Sequence, residues 1–284
     1  MYECDVMKIF AIALVMFMPF TTLADISLAS HDTVVKEPIG PKDAVKEMRK
    51  EAEQGDAGAQ FQLGSCYTNG EGVEQDDKLA MRWWRKAAEQ GHARAGYNLG
   101  VCYRDGVGVL QDHKQAVQWW RMAAEQGHPG ALNSLGSCYA FGIGVERDQK
   151  QAIQWYRKAA EIGDACGEYN LGVCYRDGIG VAVDLKQAVK WYRKAAEQGY
   201  VDAQYNLGAS YVHGDGVVQD YEEAVQWYRK AAAQGDTDAQ VDLGLCYLNG
   251  DGVAKDKAQA KQWFKKALAK GSQRAAEMLI QQDL

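Results

Sequence analysis

The sequence is poor in the groups that most hydrolases use for chemistry. It has five histidines in 284 residues, and none of them stands beside a plausible nucleophile. It contains no Ser-x-x-Lys, so the serine–lysine pair of penicillin-binding enzymes and β-lactamases is missing. It also contains no His-Glu-x-x-His, the zinc-binding helix motif of metalloproteases. We therefore expect no enzymatic activity, no cofactor and no metal site.

A hydrophobic run long enough to cross a bilayer is also missing. The apolar run from Ile9 to Phe20 has twelve residues, whereas a spanning helix takes about 20. The small residues Thr22 and Ala24 follow it at the positions of a cleavage site, so residues 1–24 are predicted to be a secretory signal peptide. No cysteine follows that site, which argues against a lipid anchor. We expect an exported protein, periplasmic or secreted, without a membrane span after signal cleavage.

Acidic residues near the start and the overall charge add two expectations. Glu3 and Asp5 are unusual in the positive first part of a signal peptide, so Met7 is the expected true start. Residues 25–40 are predicted to be a flexible lead-in. The net charge of −6 is small, and acidic and basic residues are mixed along the chain. Both features argue against nucleic-acid binding.

What the sequence does contain is a repeat. A Leu-Gly pair returns every 36 residues without insertion or deletion, and a tryptophan returns with the same spacing. The pairs begin at Leu63, Leu99, Leu135, Leu171, Leu207 and Leu243, and the tryptophans are Trp83, Trp119, Trp155, Trp191, Trp227 and Trp263. Six equal units predict a solenoid, in which each unit stacks on the next.

Each unit predicts two helices joined by a glycine turn. In the second unit Leu99, Cys102 and Tyr103 form the apolar stripe of a first helix, helix A. A Gly-x-Gly-Val turn follows, and a second helix, helix B, runs up to Gly127. Gly100 lies on the stripe of helix A, and its return in every unit predicts close approach of a neighbouring helix, because glycine costs about 1 kcal/mol in a helix.

Polar residues mark the starts of both helices. An aspartate precedes helix B in all six units, with Gln or Glu three residues later in five of them, which predicts a capping box. His92 and His128 share a position with Asp56 and Asp164 just before helix A, and this mixture is typical of an N-cap.

The tryptophan row and the cysteines are both interpreted as core. Burying each tryptophan would remove about 150–250 Å² from water and hold the stack together. Five cysteines share one position, and helices packed about 8–10 Å apart hold equivalent residues too far apart for disulfides. They are Cys66, Cys102, Cys138, Cys174 and Cys246, and we expect buried free thiols.

The ends of the array match half-units. Residues 41–58 match helix B with polar residues at its aromatic positions and are predicted to be an N-terminal capping helix. Residues 275–284 match helix A, with Ile280 in place of the packing glycine, and are predicted to be a C-terminal capping helix. The six repeats between them are assigned to residues 59–94, 95–130, 131–166, 167–202, 203–238 and 239–274.

The unit resembles the Sel-one-like repeat, a family similar to tetratricopeptide repeats. The segment from Trp191 to Gly199, Trp-Tyr-Arg-Lys-Ala-Ala-Glu-Gln-Gly, fits the family pattern at every position. The resemblance implies an all-α fold, a right-handed superhelical solenoid of helix-turn-helix repeats that serves as a scaffold or adaptor in protein complexes. It implies no reaction. Exported relatives are associated with the cell envelope or with host contact, so a cell-envelope or host protein is an expected partner, bound by a monomeric chain.

The same resemblance places helix A on a concave, partner-binding face. Aromatic, arginine and asparagine residues recur there, and tyrosine and arginine dominate many interfaces. The candidate partner-binding residues are Phe61, Tyr97, Asn98, Arg104, Tyr169, Asn170, Arg176, Tyr205 and Asn206. We expect this face to bind a protein or an extended peptide, with the asparagines contacting its backbone. Two alternatives remain: a peptidoglycan- or glycan-binding scaffold, and a β-lactamase-like envelope enzyme, an activity that the resemblance to exported relatives also implies.

Overall fold

A computed structural model describes residues 40–282, and this part of the chain is built of α-helices of nearly equal length. In chain order they are α1 (Pro41–Glu53), α2 (Ala57–Asn69), α3 (Asp77–Glu89), α4 (Ala93–Asp105), α5 (His113–Glu125), α6 (Pro129–Phe141), α7 (Gln149–Glu161), α8 (Ala165–Asp177), α9 (Leu185–Glu197), α10 (Val201–His213), α11 (Tyr221–Ala233), α12 (Thr237–Asn249), α13 (Lys257–Ala269) and α14 (Gln273–Gln281). The predicted signal peptide, and the lead-in up to residue 39, lie outside the described residues.

These helices form an all-α solenoid, as the repeat predicted. The even-numbered helices from α2 to α12 are helix A, the odd-numbered helices from α3 to α13 are helix B, and each helix packs mainly on its neighbours in the chain. The predicted N-terminal capping helix over 41–58 is too long. Helix α1 ends at Glu53, because Gly55 takes a φ of +102° and Asp56 already caps α2.

The turn between helix A and helix B uses both glycines of the Gly-x-Gly. Gly106 ends α4 in the left-handed region, at φ +74°. Gly108 also has a positive φ, +69°, and a Cβ there would come within 3.0 Å of the backbone of Asp77, the first residue of α3. The first glycine therefore stops helix A, and the second lets the turn touch the preceding repeat.

Helix B is capped by aspartate as predicted, but not by a full capping box. The Asp112 carboxylate accepts hydrogen bonds from the backbone N–H groups of Lys114 and Gln115. The N–H of Asp112, which the box would give to the Gln115 side chain, instead donates to the Tyr103 carbonyl at 2.8 Å. The equivalent aspartate-to-tyrosine bond forms in all six repeats. This bond ties the start of helix B to the last turn of helix A, so the glutamine is not needed there.

The repeated glycine of helix A is a contact point for the second aromatic of helix B. A Cβ on Gly172 would lie 2.7 Å from the ring of Tyr192, and one on Gly208 would lie 2.7 Å from the ring of Tyr228. The other four repeats have the same contact. The predicted close approach is thus confirmed, and the approaching group is a ring.

The tryptophan row is not the centre of the core, so that prediction is mostly wrong. Trp227 is buried, but the other five tryptophans of the row are only half-buried. The buried ring is the next residue along: Trp84, Trp120, Tyr156, Tyr192, Tyr228 and Phe264. With 3.6 residues per turn, Ala116, Trp120 and Ala123 share the inward stripe, and Trp119 lies at its edge.

A lysine covers the tryptophan ring in five of the six repeats. The ammonium nitrogen of Lys230 lies 3.6 Å from the ring centre of Trp227, and that of Lys86 lies 4.3 Å from the ring of Trp83. This i, i+3 cation–π contact explains why the ring is tolerated at the edge of the core, half in contact with water.

The cysteines behave as the predicted core thiols. All five cysteines of the repeated position are buried and free, and Cys166 is half-buried and free. Burial raises the pKa of Cys102 to about 11 and that of Cys138 to about 12. These thiols stay protonated at neutral pH and are poor nucleophiles.

Candidate functional site

The nine candidate residues lie on four of the six A helices, α2, α4, α8 and α10, and all of them are half-buried. They flank the buried stripe formed by leucines such as Leu99 and by alanines such as Ala95. We call the half-exposed surface that they form, together with the equivalent residues of α6 and α12, the helix A face.

The aromatic residues of this face stack on the next repeat. The ring of Phe61 lies 4.6 Å from that of His92, and the ring of Tyr97 lies 4.5 Å from that of His128, both nearly parallel. The rings of Tyr169 and Tyr200 lie 5.1 Å apart and are tilted by 35° to each other. The rings therefore hold consecutive repeats together, and Tyr97→Ala would lower stability whatever its effect on binding.

The residues on which these rings stack are the N-caps of the next helix A. His92 accepts a hydrogen bond from the backbone N–H of Ala95 through Nδ1, and His128 accepts one from Ala131, both at 3.3 Å. The predicted N-cap role of the two histidines is therefore confirmed. Burial lowers the pKa of both histidines, which favours the neutral ring that such a cap requires.

The asparagines do not form one continuous ladder. Asn170 donates to the Oδ1 of Asn133 at 3.4 Å, and Asn133 donates to Asp164 at 2.6 Å. Asn206 donates to the Asp202 carbonyl within its own helix. Asn98 is half-exposed. The amides thus differ in what they can offer a partner from one repeat to the next.

Both arginines are oriented by the aspartate that follows them. Arg104 binds Asp105 through Nε and Nη2, each at 2.6 Å, and Arg176 binds Asp177 at 2.7 and 2.8 Å. Arg176 also donates from Nη1 to Asn206 of the next repeat at 3.1 Å. The Asp177 hydrogen bonds raise the pKa of Arg176. These fixed guanidinium groups present directed donors at the helix A face.

At the C-terminal end the face changes character. Val241, at the repeat position of Phe61, Tyr97 and Tyr205, is fully buried, so the row of half-exposed rings ends at Tyr205. The polar contacts at this end centre on Asp242. Its carboxylate accepts a hydrogen bond from the Tyr205 hydroxyl at 3.1 Å and forms a salt bridge with Arg274. Sequence reasoning missed Arg274 because it lies in the terminal helix and at a different repeat position from Arg104 and Arg176.

Several of these contacts between repeats join residues 31 positions apart in the sequence, and comparing the residues at that spacing would have revealed them. Phe61 with His92 and Tyr97 with His128 are aromatic–histidine pairs, whereas Asn133 with Asp164 is an amide–carboxylate pair. The residue types change together from repeat to repeat, and that internal covariation is visible in the sequence alone.

Metal and membrane features are absent from the part of the chain that the structure describes. No group of three or more His, Cys, Asp and Glu side chains in residues 40–282 could hold a metal ion. No helix within those residues is long and apolar enough to span a membrane.

The repeat pattern can now be compared with known proteins. The Sel1 repeat model matches residues 57–92, 93–128, 129–164, 167–200, 201–236 and 237–272. The chain belongs to the Sel1 repeat family. Members of this family are generally non-enzymatic scaffolds for protein–protein interaction. No curated protein matches the chain.

Two solved structures share both sequence and fold with it. One is a protective antigen present in uropathogenic Escherichia coli strains, with an SLR fold: it is 41% identical, the TM-score is 0.79, and the match covers 81% of this chain and 50% of that chain. The other is a Sel1 repeat protein from Oxalobacter formigenes: it is 36% identical, the TM-score is 0.73, and the match covers 82% and 93% of the two chains. The chain thus spans about half the length of the first of these relatives.

Proposed function

We propose that this protein is an exported scaffold that binds a protein or an extended peptide along the helix A face, which we take to be concave. The observation that carries the proposal is the row of oriented polar and aromatic groups on consecutive A helices, with Arg176 and Asn170 each bonded across a repeat boundary. Rigid, regularly spaced donors of this kind suit a backbone that runs along the stack. The family's general role in protein–protein interaction supports the same conclusion.

Export rests on the N-terminal sequence. The apolar segment and the small residues up to Ala24 support a signal peptide, and the mature chain would start near Asp25. The E. coli relative is described as a protective antigen, which fits a protein that reaches the outside of a cell. We propose no enzymatic activity for the chain.

The test is affinity capture with residues 25–284 from the producing cell's envelope and medium, followed by mass spectrometry. One variant, Asn98→Ala/Asn170→Ala/Asn206→Ala, removes amides from the helix A face. The matched control, Gln118→Ala/Gln154→Ala/Gln226→Ala, removes three exposed amides from helix B. We expect the wild type and the control to capture the same few proteins and the asparagine variant to lose them.

Two outcomes would contradict this assignment. Equal capture by all three proteins would exclude the helix A amides as the binding surface. Retention on purified peptidoglycan, without any protein captured, would favour the glycan-binding alternative. Melting curves of the three proteins must agree within a few degrees, since Asn170 bonds across a repeat boundary.

A further inference from the structure

A small cleft opens between the fourth and fifth repeats, at one end of the helix A face. Its volume is about 200 Å³, and its polar lining comes from Arg176, Tyr192, Asn206, Ser210 and Asp215. Sites for whole small-molecule ligands are larger, about 300–1,000 Å³. The cleft therefore has the size for one side chain of a longer ligand.

The cleft exists because the fifth repeat carries small residues where other repeats carry larger ones. Ala209 occupies the position of Val101, Val173 and Leu245, and of the serines Ser65 and Ser137 in two other repeats, so it is the smallest side chain at that position. Ser210, beside it, stands where the other five repeats have the core cysteine. Both residues line the cleft. The missing side-chain volume is thus a property of this repeat and not of the fold.

A buried hydroxyl in the wall of the cleft has no partner among the described residues. The Tyr192 side chain is 1% exposed, and its hydroxyl makes no hydrogen bond there. The equivalent Tyr156 hydroxyl lies 3.0 Å from Ser137, but in the next repeat that serine is replaced by Val173. Burial raises the pKa of Tyr192, so the group stays protonated and can donate. A buried donor without a partner is destabilising, and a ligand acceptor would remove that cost.

Arg176 supplies further donors without supplying net charge. Three of the five guanidinium N–H groups bond to Asp177 and Asn206, which leaves two. Asp177 and Asp215 contribute two negative charges against one positive charge, and Asp215 is exposed at the rim. The net negative charge would repel a carboxylate ligand, whereas it would not repel a neutral amide.

We propose that the cleft is a subsite for a carboxamide side chain, asparagine or glutamine, of the bound peptide. The amide oxygen would accept from the Tyr192 hydroxyl and Arg176, and the amide nitrogen would donate to Asp215. This subsite rests on the proposed peptide-binding function, because it lies beside Arg176 and Asn206 of the helix A face.

The first test uses N-acetylglutamine methylamide and N-acetylglutamate methylamide as probes in ligand-detected NMR. Ala209→Val fills the cleft with the residue found at Val101 and Val173, and Ala209→Ser, as in Ser137, is the matched control. Tyr192→Phe removes only the hydroxyl and copies Phe264 of the sixth repeat. All three substitutions have precedents in this chain, so we expect them to fold.

We expect the glutamine probe to bind the wild type and Ala209→Ser alike, and to bind Ala209→Val at least tenfold more weakly. Tyr192→Phe should weaken binding about three- to tenfold, as for one neutral hydrogen bond. Preference for the glutamate probe, or equal binding to all four proteins, would overturn the subsite.

A second arm separates the subsite from the scaffold function. An array of ten-residue peptides with one varied position is probed with the same four proteins. Selection of Asn or Gln that Ala209→Val abolishes would support both proposals. Peptide binding without that selection would exclude the subsite and leave the scaffold. Glutamine-probe binding without any peptide binding would leave the carboxamide site and exclude the peptide scaffold.

Discussion

At the scale of single residues, Glu168 is the most unusual group of the array. It is 4% exposed at a position where three other repeats have glutamine: Gln60, Gln204 and Gln240. Each of those amides donates to the carbonyl eight residues upstream. Ionised Glu168 cannot donate in this way. It accepts a hydrogen bond from Gln198 at 2.7 Å, and burial still raises its pKa.

Glu168→Gln should therefore stabilise the protein at neutral pH, by about 1 kcal/mol. A raised pKa means that the folded state binds the proton more tightly than the unfolded chain, so the wild type loses stability as the pH rises through that pKa. The gain should shrink below the ordinary glutamate pKa, since protonated Glu168 can itself donate. Urea unfolding at pH 7 and pH 4 measures this gain in the free energy of unfolding. Glu161→Gln, at an exposed position, is the control. A gain of the same size at both pH values would contradict the charge argument.

The two histidine caps give the opposite pH dependence. Burial lowers the pKa of His92 and His128, so the unfolded chain takes up protons first as the pH falls below about 6.5. Stability should drop in that range, by about 1 kcal/mol for each cap that is lost.

The variant His92→Asp/His128→Asp introduces the cap that other repeats already have at Asp56 and Asp164. Its melting temperature should fall less than that of the wild type between pH 7.5 and pH 5. At pH 7.5 it should be a few degrees lower, because the variant loses two ring stacks. Hydrogen exchange at the amides of Ala95 and Ala131 reports on the caps directly. Parallel pH profiles of the two proteins would show that the histidines do not titrate in this range.

At the scale of the helix pair, the contact between glycine and ring sets the spacing of helix A and helix B. Gly172→Ala places a methyl group 2.7 Å from the Tyr192 ring, which the pair can accept only by moving apart. We expect a loss of about 1–3 kcal/mol, typical of an overpacked core. Ile280, at the same repeat position, is 80% exposed and faces no helix B. Ile280→Ala should change the free energy of unfolding by less than about 0.5 kcal/mol. A gain of about 1 kcal/mol from Gly172→Ala would show that helix propensity, not contact with the ring, decides the position.

The helix pair also shows what the sequence could and could not predict. Helix order, turns and caps follow from local rules. In every repeat the equivalent of Gly106 ends helix A and the equivalent of Asp112 caps helix B. The sequence could not tell which of two adjacent aromatics faces inward, because Trp119 and Trp120 both fit an apolar stripe. The helix A face was predicted as a set of residues, but its stacking on His92 and His128 follows an offset of 31 residues, which the 36-residue period does not point to.

At the scale of the whole molecule, the contacts are one-dimensional: each helix packs mainly on its chain neighbours. Deletion of residues 129–164 removes one complete Sel1 repeat and joins residue 128 to residue 165, which occupies the same repeat position as residue 129. We expect a folded, shorter array. Deletion of residues 147–164, which removes α7 but keeps α6, would place two A helices in succession. Their exposed stripes would have no helix B to cover them, and we expect loss of helicity or aggregation.

Circular dichroism and urea unfolding distinguish these two deletions. The one-repeat deletion should keep the helical signal per residue, and its m-value should fall roughly in proportion to the chain removed, because m follows the surface exposed on unfolding. Stability should fall as well, since one repeat and one interface between repeats are lost. An unfolded one-repeat deletion would mean that the third repeat makes contacts beyond its neighbours. The array would then be a single cooperative body, and its binding face could not be shortened without loss of the whole.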